Sequence, residues 1–172
     1  MPKDTVPMKQ TPGKNCTHAA FAVLARRDHS RAELTKKLQK RGYSESEVQT
    51  AIDECVRLDY IDDRKFAVVY SRQLQRKGYG RRHIRHVLQS KGVVDRIVTD
   101  VIERICQNAA EEYQCHRMLK KKLRTMKPGG TPSEITSKVH RYLLGRGFEP
   151  AIVQRIIGRA PNSNPGAQAR PD

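Results

Sequence analysis

The segment Leu34–Ile52 reads LTKKLQKRGYSESEVQTAI, and its spacing returns twice further along the chain. Anchored on Gly42, the copies fall on Gly92 and Gly147. Four residues before each glycine stands a leucine (Leu38, Leu88, Leu143), and four before that another aliphatic (Leu34, Ile84, Val139). Tyr43, Val93 or Phe148 follows directly, and Val48, Val98 and Val153 come six residues after the glycine. The pairs Ala51-Ile52, Val101-Ile102 and Ile156-Ile157 complete the register, at spacings of 50 and then 55 residues. Apolar residues four apart that end in a glycine describe one face of a helix closed by a left-handed turn. Each copy is therefore predicted to be helix, tight turn, helix.

Cap signals mark the same boundaries. Ser30 through Glu33 and Ser44 through Glu47 have capping-box spacing, and Thr131-Pro132-Ser133-Glu134 adds proline at the first helical position. Glu149-Pro150 opens a last helix, and Gly78-Tyr79-Gly80 interrupts the chain before a helix from Arg81 to Lys91. A further helix precedes each pair, over residues 17–27, 63–77 and 109–126. The expected fold is all-α, a tandem array of three three-helix repeats. The repeats cover residues 17–61, 62–107 and 108–160, with disordered tails at 1–16 and 161–172. Lys127-Pro128-Gly129-Gly130 accounts for the longer second spacing. A single such repeat has too little core to stand alone, so neighbours must stack.

The charge is large and uneven. The 172 residues carry a formal net charge of +16. Through Asp63 there are 11 Lys/Arg against 10 Asp/Glu; from Arg64 onward there are 23 against 8. From Arg72 to Lys91 there is no acid. Helices that need only solubility interleave signs, so the later two repeats point to a polyanionic or acidic partner. Within them, Arg72 and Arg76 are four apart, as are Arg81 and Arg85, with Lys77 and Arg82 alongside. Arg117, Lys120, Lys121, Lys122, Arg124 and Lys127 form a second basic run, and Arg141 and Arg146 follow. With 5% aromatic residues and no tryptophan, a base-stacking platform is not expected.

Catalysis is not expected either. The chain lacks HExxH, GxxxxGK[ST] and GxSxG. His83 and His86 lie three apart without a third ligand, and adjacent Cys115 and His116 point in different directions on a helix. Asp62-Asp63 reads as negative charge at a helix start. Cys16, Cys55, Cys106 and Cys115 form no CxxC, no apolar run is long enough to span a bilayer, and no signal peptide is apparent. A cytoplasmic monomer with free thiols and no membrane partner, cofactor or metal is expected.

Several stretches together resemble the RecX family. Arg27-Asp28-His29-Ser30 leading into Glu33-Leu34 and Lys37-Leu38 is similar to its opening motif. Tyr60-Ile61-Asp62-Asp63 with Phe66-Ala67 is similar to its second. Arg76-Lys77-Gly78-Tyr79-Gly80, Arg82, Ile84-Arg85, Leu88 and Lys91-Gly92-Val93 resemble its central stretch; Tyr142-Leu143-Leu144, Arg146-Gly147-Phe148 and Ile152 resemble its last repeat. The resemblance implies three-helix repeats forming an elongated, curved rod. It implies a regulator that lodges in the filament of the recombinase RecA on single-stranded DNA and restrains ATP hydrolysis, strand exchange and co-protease function, and so DNA repair and the SOS response. Binding to single-stranded DNA alone would be weak. The family's basic concave surface carries over onto Arg72, Arg76, Lys77, Arg81, Arg82 and Arg85. Tyr79 is either part of that surface or a packing residue of the turn. One departure is Asp59, where many members have glycine before the tyrosine; aspartate tolerates the left-handed conformation moderately well.

The competing reading is a direct DNA reader, with Leu34–Ile52 as a helix-turn-helix. Glu45, Glu47, Asp53 and Glu54 on its second helix would repel phosphates.

Overall fold

The computed structural model describes residues 15–126 and 129–159, and among these the secondary structure is helical throughout. The helices are α1 (Cys16–Leu24), α2 (Arg31–Gln39), α3 (Glu45–Arg57), α4 (Asp63–Arg76), α5 (Arg81–Ser90), α6 (Asp95–Ile105), α7 (Asn108–Arg124), α8 (Pro132–Gly145) and α9 (Pro150–Arg159). The expected all-α architecture of three helix triples is what the chain adopts. Gly42, Gly92 and Gly147, the anchors of the repeat, have φ of +89°, +74° and +79°. That left-handed backbone lets each turn close without the steric penalty of a Cβ.

Helix ends shift from the sequence reading by one to three residues. Asn15 caps α1, its side chain accepting from the Thr17 amide, and Cys16 is buried. The expected tail thus yields Asn15 and Cys16 to the fold; the rest of both expected tails lies outside the described residues, as do Lys127 and Pro128. α1 ends at Leu24 rather than Arg27 because the next residues turn to hold His29, whose Nδ1 bonds the Arg27 carbonyl at 2.9 Å.

The described residues form two compact units. The first comprises residues up to Tyr70 together with Leu88–Val98; the second comprises Ser71–Val87 and the residues from Thr99. The core of the first is built from α1, α2 and α3, with Leu34, Leu38, Ala51 and Cys55 fully enclosed. The core of the second includes Cys115, Met118 and Leu119 of α7, Val139 and Leu143 of α8, and Phe148, Ile152, Val153 and Ile156. All four cysteines are free and buried. Burial pushes their thiols up, Cys106 to about 11 and Cys115 to about 12.

The capping boxes at Ser44–Glu47 and Thr131–Glu134 are formed in both directions. The one expected at Ser30 is formed only in part. Ser30 accepts from the Glu33 amide at 3.1 Å, but the Glu33 carboxylate turns to Arg27, at 3.3 Å, and to Lys91, at 2.7 Å. Asp62 accepts from the amides of Arg64 and Lys65 at the start of α4, as its position suggests. Asp63 instead accepts from the Arg31 amide at 2.8 Å and so closes the start of α2.

Of the acid-sensitive groups in this first unit, Glu33 and His29 are the two shielded from solvent. Burial alone would raise the Glu33 carboxyl, but hydrogen bonds from Arg27 and Lys91 hold it at about 2. Burial pushes the His29 imidazole below its ordinary value, and the charges of Arg27 and Lys37 act the same way. Lys37 Nζ donates to His29 Nε2 at 2.8 Å, a geometry that requires a neutral ring. The native state therefore binds fewer protons than the unfolded chain at both sites, and stability falls as the pH is lowered. The His29 share begins to fade below about pH 6.5, and the Glu33 share fades from about pH 4.5 down to about pH 2. Urea midpoints measured across this range should fall in two stages. Glu33→Gln should shrink the lower stage and leave the upper one in place, the rest of the lower stage coming from Glu47 and Glu54, which Ser44 and Arg57 hold below the usual carboxylate range; an unchanged profile would remove Glu33 from the account.

Asp59 has φ of +59°, the left-handed value expected of it, and is the sole non-glycine residue with positive φ among the described residues. Its carboxylate lies 2.6 Å from Lys65 Nζ in an exposed pair. Asp59→Gly should stabilise the chain by about 0.5–1 kcal/mol, because the backbone strain exceeds the small benefit of an exposed ion pair. Thermal melts of the two forms test this, and a lower midpoint for the glycine variant would contradict it.

Candidate functional site

Every cation singled out from the sequence falls in the second unit, but the side chains divide into two kinds. Arg72, Arg76, Lys77, Arg82, Arg117, Lys120, Lys121, Arg124 and Arg141 are exposed; Arg81, Arg85 and Arg146 are half-buried.

Arg81 is not the solvent-facing residue that the pattern suggests. Its Nε pairs with the carboxylate of Glu111, and its guanidinium also donates to the Cys106 carbonyl and to Asn108 Oδ1. Its own amide donates to the other Glu111 oxygen at 3.1 Å. Glu111 is 3% exposed, so this is an interior anchor between the start of α5 and α7. Sequence reasoning missed Glu111; an acid in the first turn of a helix is normally explained by the helix dipole. Arg85 is similarly diverted, its guanidinium donating to Thr99 Oγ1 at 3.3 Å. A charge reversal at Arg81 and Arg85 would thus disturb packing as well as surface.

Four of the other cations, Arg76, Lys77, Arg117 and Arg146, gather where α4 ends. Arg117 of α7 donates to the Arg76 carbonyl at 3.1 Å, and Arg146, just past α8, donates to the Lys77 carbonyl at 2.8 Å. Carbonyls at a helix C-terminus lack intrahelical partners and carry partial negative charge, so guanidinium groups are favoured there. These two bonds set Arg117 and Arg146 beside Arg76 and Lys77. Arg117, Lys121 and Arg124 share one face of α7 by their spacing.

Aromatic rings order this cluster. The Tyr79 and His83 rings stack with centroids 4.0 Å apart. The Arg146 guanidinium lies 5.0 Å from the Tyr79 centroid and 5.3 Å from that of Tyr142, and Lys122 Nζ lies 5.3 Å from Tyr142. Lys122, Tyr142, Arg146, Tyr79 and His83 therefore alternate as a ladder of cations and rings. Burial first, then the charges of His86 and Arg146, lowers the His83 pKa. Tyr79 packs on His83 and under Arg146 and so sits within the cation cluster itself.

The backbone makes the ladder possible. The Gly80 amide donates to the Arg146 carbonyl at 2.9 Å and the Arg82 amide to the Gly147 carbonyl at 3.0 Å. The start of α5 and the turn after α8 thus touch main chain to main chain. A Cβ on Gly147 would stand 2.4 Å from the His83 nitrogen.

Among the described residues, no group of three or more His, Cys, Asp or Glu side chains is placed to hold a metal ion, and no helix is long and apolar enough to cross a membrane.

Among the described residues, three like turns, nine helices and a cationic second unit define the class: a helical repeat protein whose positive charge is concentrated in the later two thirds of the sequence. Sequence models described as the first, second and third three-helix domains of RecX match residues 16–55, 62–102 and 111–157. The chain is 33% identical over 145 residues to the regulatory protein RecX of Legionella pneumophila (strain Corby), covering 84% of this chain and 94% of that one. It is 31% identical over 139 residues to the regulatory protein RecX of Haemophilus influenzae (strain PittEE), covering 80% and 89%. The crystal structure of RecX from Lactobacillus salivarius superposes with a TM-score of 0.71 at 22% identity, covering 83% of this chain and 92% of that one. The chain belongs to the RecX family.

Proposed function

We propose that the chain binds the RecA–single-stranded DNA filament and restrains its ATPase, recombinase and co-protease activities, without catalysing a reaction itself. Family membership supports the regulatory part of this reading. The observation that carries the filament-binding part is the gathering of Arg76, Lys77, Arg117 and Arg146 at the end of α4, the first two from a stretch of sequence free of acids. A surface of this kind draws a polyanion through counterion release, with little regard to base sequence. The exposed acids Glu45 and Asp53 of α3 speak against the alternative, in which α3 enters a major groove.

The test is a titration of the protein into RecA filaments with ATP hydrolysis as the readout. The wild type should suppress hydrolysis at concentrations well below those at which it binds naked DNA. Arg72→Glu with Arg76→Glu reverses two exposed charges outside the Arg81–Glu111 anchor, so the fold should survive. The concentration needed for half-inhibition should rise by roughly tenfold or more at low salt. Hydrolysis unaffected by the wild type would end the filament reading. A preference for one duplex site by ~10³ over random DNA would favour the direct reader instead.

A further inference from the structure

Between α7 and α8, inside the second unit, lies a cleft of about 560 Å³ lined in part by Lys122, Lys138, Arg141, Met126 and Tyr142. We infer that this cleft is a phosphodiester-binding subsite, which takes the backbone of single-stranded nucleic acid by charge alone. The inference rests on the reading of the second unit as the filament-facing surface, and it assigns that contact to the nucleic acid rather than to protein.

Three observations carry it. First, the cations on α8 have no local reason to be there. Lys122 stands in the last turn of α7, where a helix dipole favours positive charge. Lys138 and Arg141 are inside α8, away from its last turn, and are exposed. Glu134, four residues before Lys138, is placed to pair with it, but its carboxylate accepts from the Thr131 amide at 2.9 Å instead. Among the described residues, none of the ion pairs involves Lys122, Lys138 or Arg141.

Second, the aromatic wall of the cleft is already in use. Lys122 and Arg146 both lie against the Tyr142 ring, each 5.3 Å from its centroid. The ring fixes cations in place and is not offered to a base. Third, the described lining holds three cations and no carboxylate, so its field is of one sign and suits a chain of successive negative charges.

The experiment uses the full chain, a labelled single-stranded oligonucleotide and its abasic counterpart of equal length, with anisotropy read over a range of salt. The two probes should bind within about twofold of each other, because the contact ignores bases. Lys138→Gln with Arg141→Gln should lower affinity at low salt and make the slope of log Kobs against log salt shallower by about 1.4, the share of two lost phosphate contacts. Both side chains are exposed, so the thermal midpoint of the variant should match that of the wild type. An abasic probe bound more than tenfold weaker would overturn the inference in favour of base recognition. An unchanged slope with weakened inhibition of RecA ATPase would overturn it in favour of an acidic protein surface. The DNA titration contains no RecA, so a shallower slope supports the subsite even where the wild type leaves RecA ATPase untouched, a result that would remove only the filament reading.

Discussion

Glu111→Ala is expected to destabilise the second unit by about 2–4 kcal/mol, the cost of leaving one charged and one neutral donor of a half-buried arginine without their acceptor. Glu111 is 3% exposed and receives both the Arg81 guanidinium and the Arg81 amide, so its loss strands two donors at once. Urea denaturation monitored by circular dichroism measures the effect. Glu111→Gln keeps an acceptor for the amide and should cost less. The double replacement Glu111→Ala with Arg81→Ala should recover part of the loss, since no charge is then left unpaired. A single replacement that costs under about 1 kcal/mol, the value of an exposed pair, would show that the anchor is solvated and not interior.

Gly147→Ala should be comparably severe. The added methyl meets His83 main chain and side chain at 2.4 and 2.5 Å, and the residue keeps φ of +79°. Left-handed strain of about 1–2 kcal/mol and overpacking of about 1–3 kcal/mol act together. Gly145, two residues earlier in α8, is the natural control: a Cβ there meets nothing within 4 Å. Gly145→Ala should be neutral or stabilising, because alanine is the better helix former. Equal midpoints for the two variants would mean that the turn after α8 does not press on α5. The same pair of variants bears on function, for the Gly147 turn also presents Arg146 to the Tyr79 ring.

The repeats were legible because each copy carries the same local code. Leucine four residues before a turn glycine and valine six after it need no knowledge of distant contacts, and helices follow from period and caps alone. The left-handed backbone at Asp59 was legible for the same reason, since it is a property of one residue in one turn. What could not be read was where long cations point. Arg81 and Arg72 look alike in the sequence, each on the polar face of a helix. Arg81 is drawn inward by a carboxylate 30 residues away, while Arg72 stays in water. Glu33 and Glu47 stand at the same cap position, yet the nearby ammonium of Lys91 diverts Glu33 and leaves Glu47 at its box. The ladder of Tyr79, Arg146 and Tyr142 was invisible because its members come from two repeats and meet only through the turn contact at Gly80 and Gly147.

The four enclosed thiols give the chain its own set of opening reporters. Cys16 and Cys55 lie in the first unit, and Cys106 and Cys115 in the second. With thiolate scarce and solvent shut out, an alkylating reagent can react only when the surrounding helices part. Mass spectrometry of peptides recovered after a timed pulse of such a reagent would rank the two units by how often each breathes. A bound polyanion that clamps one of them would slow the labelling of that pair alone.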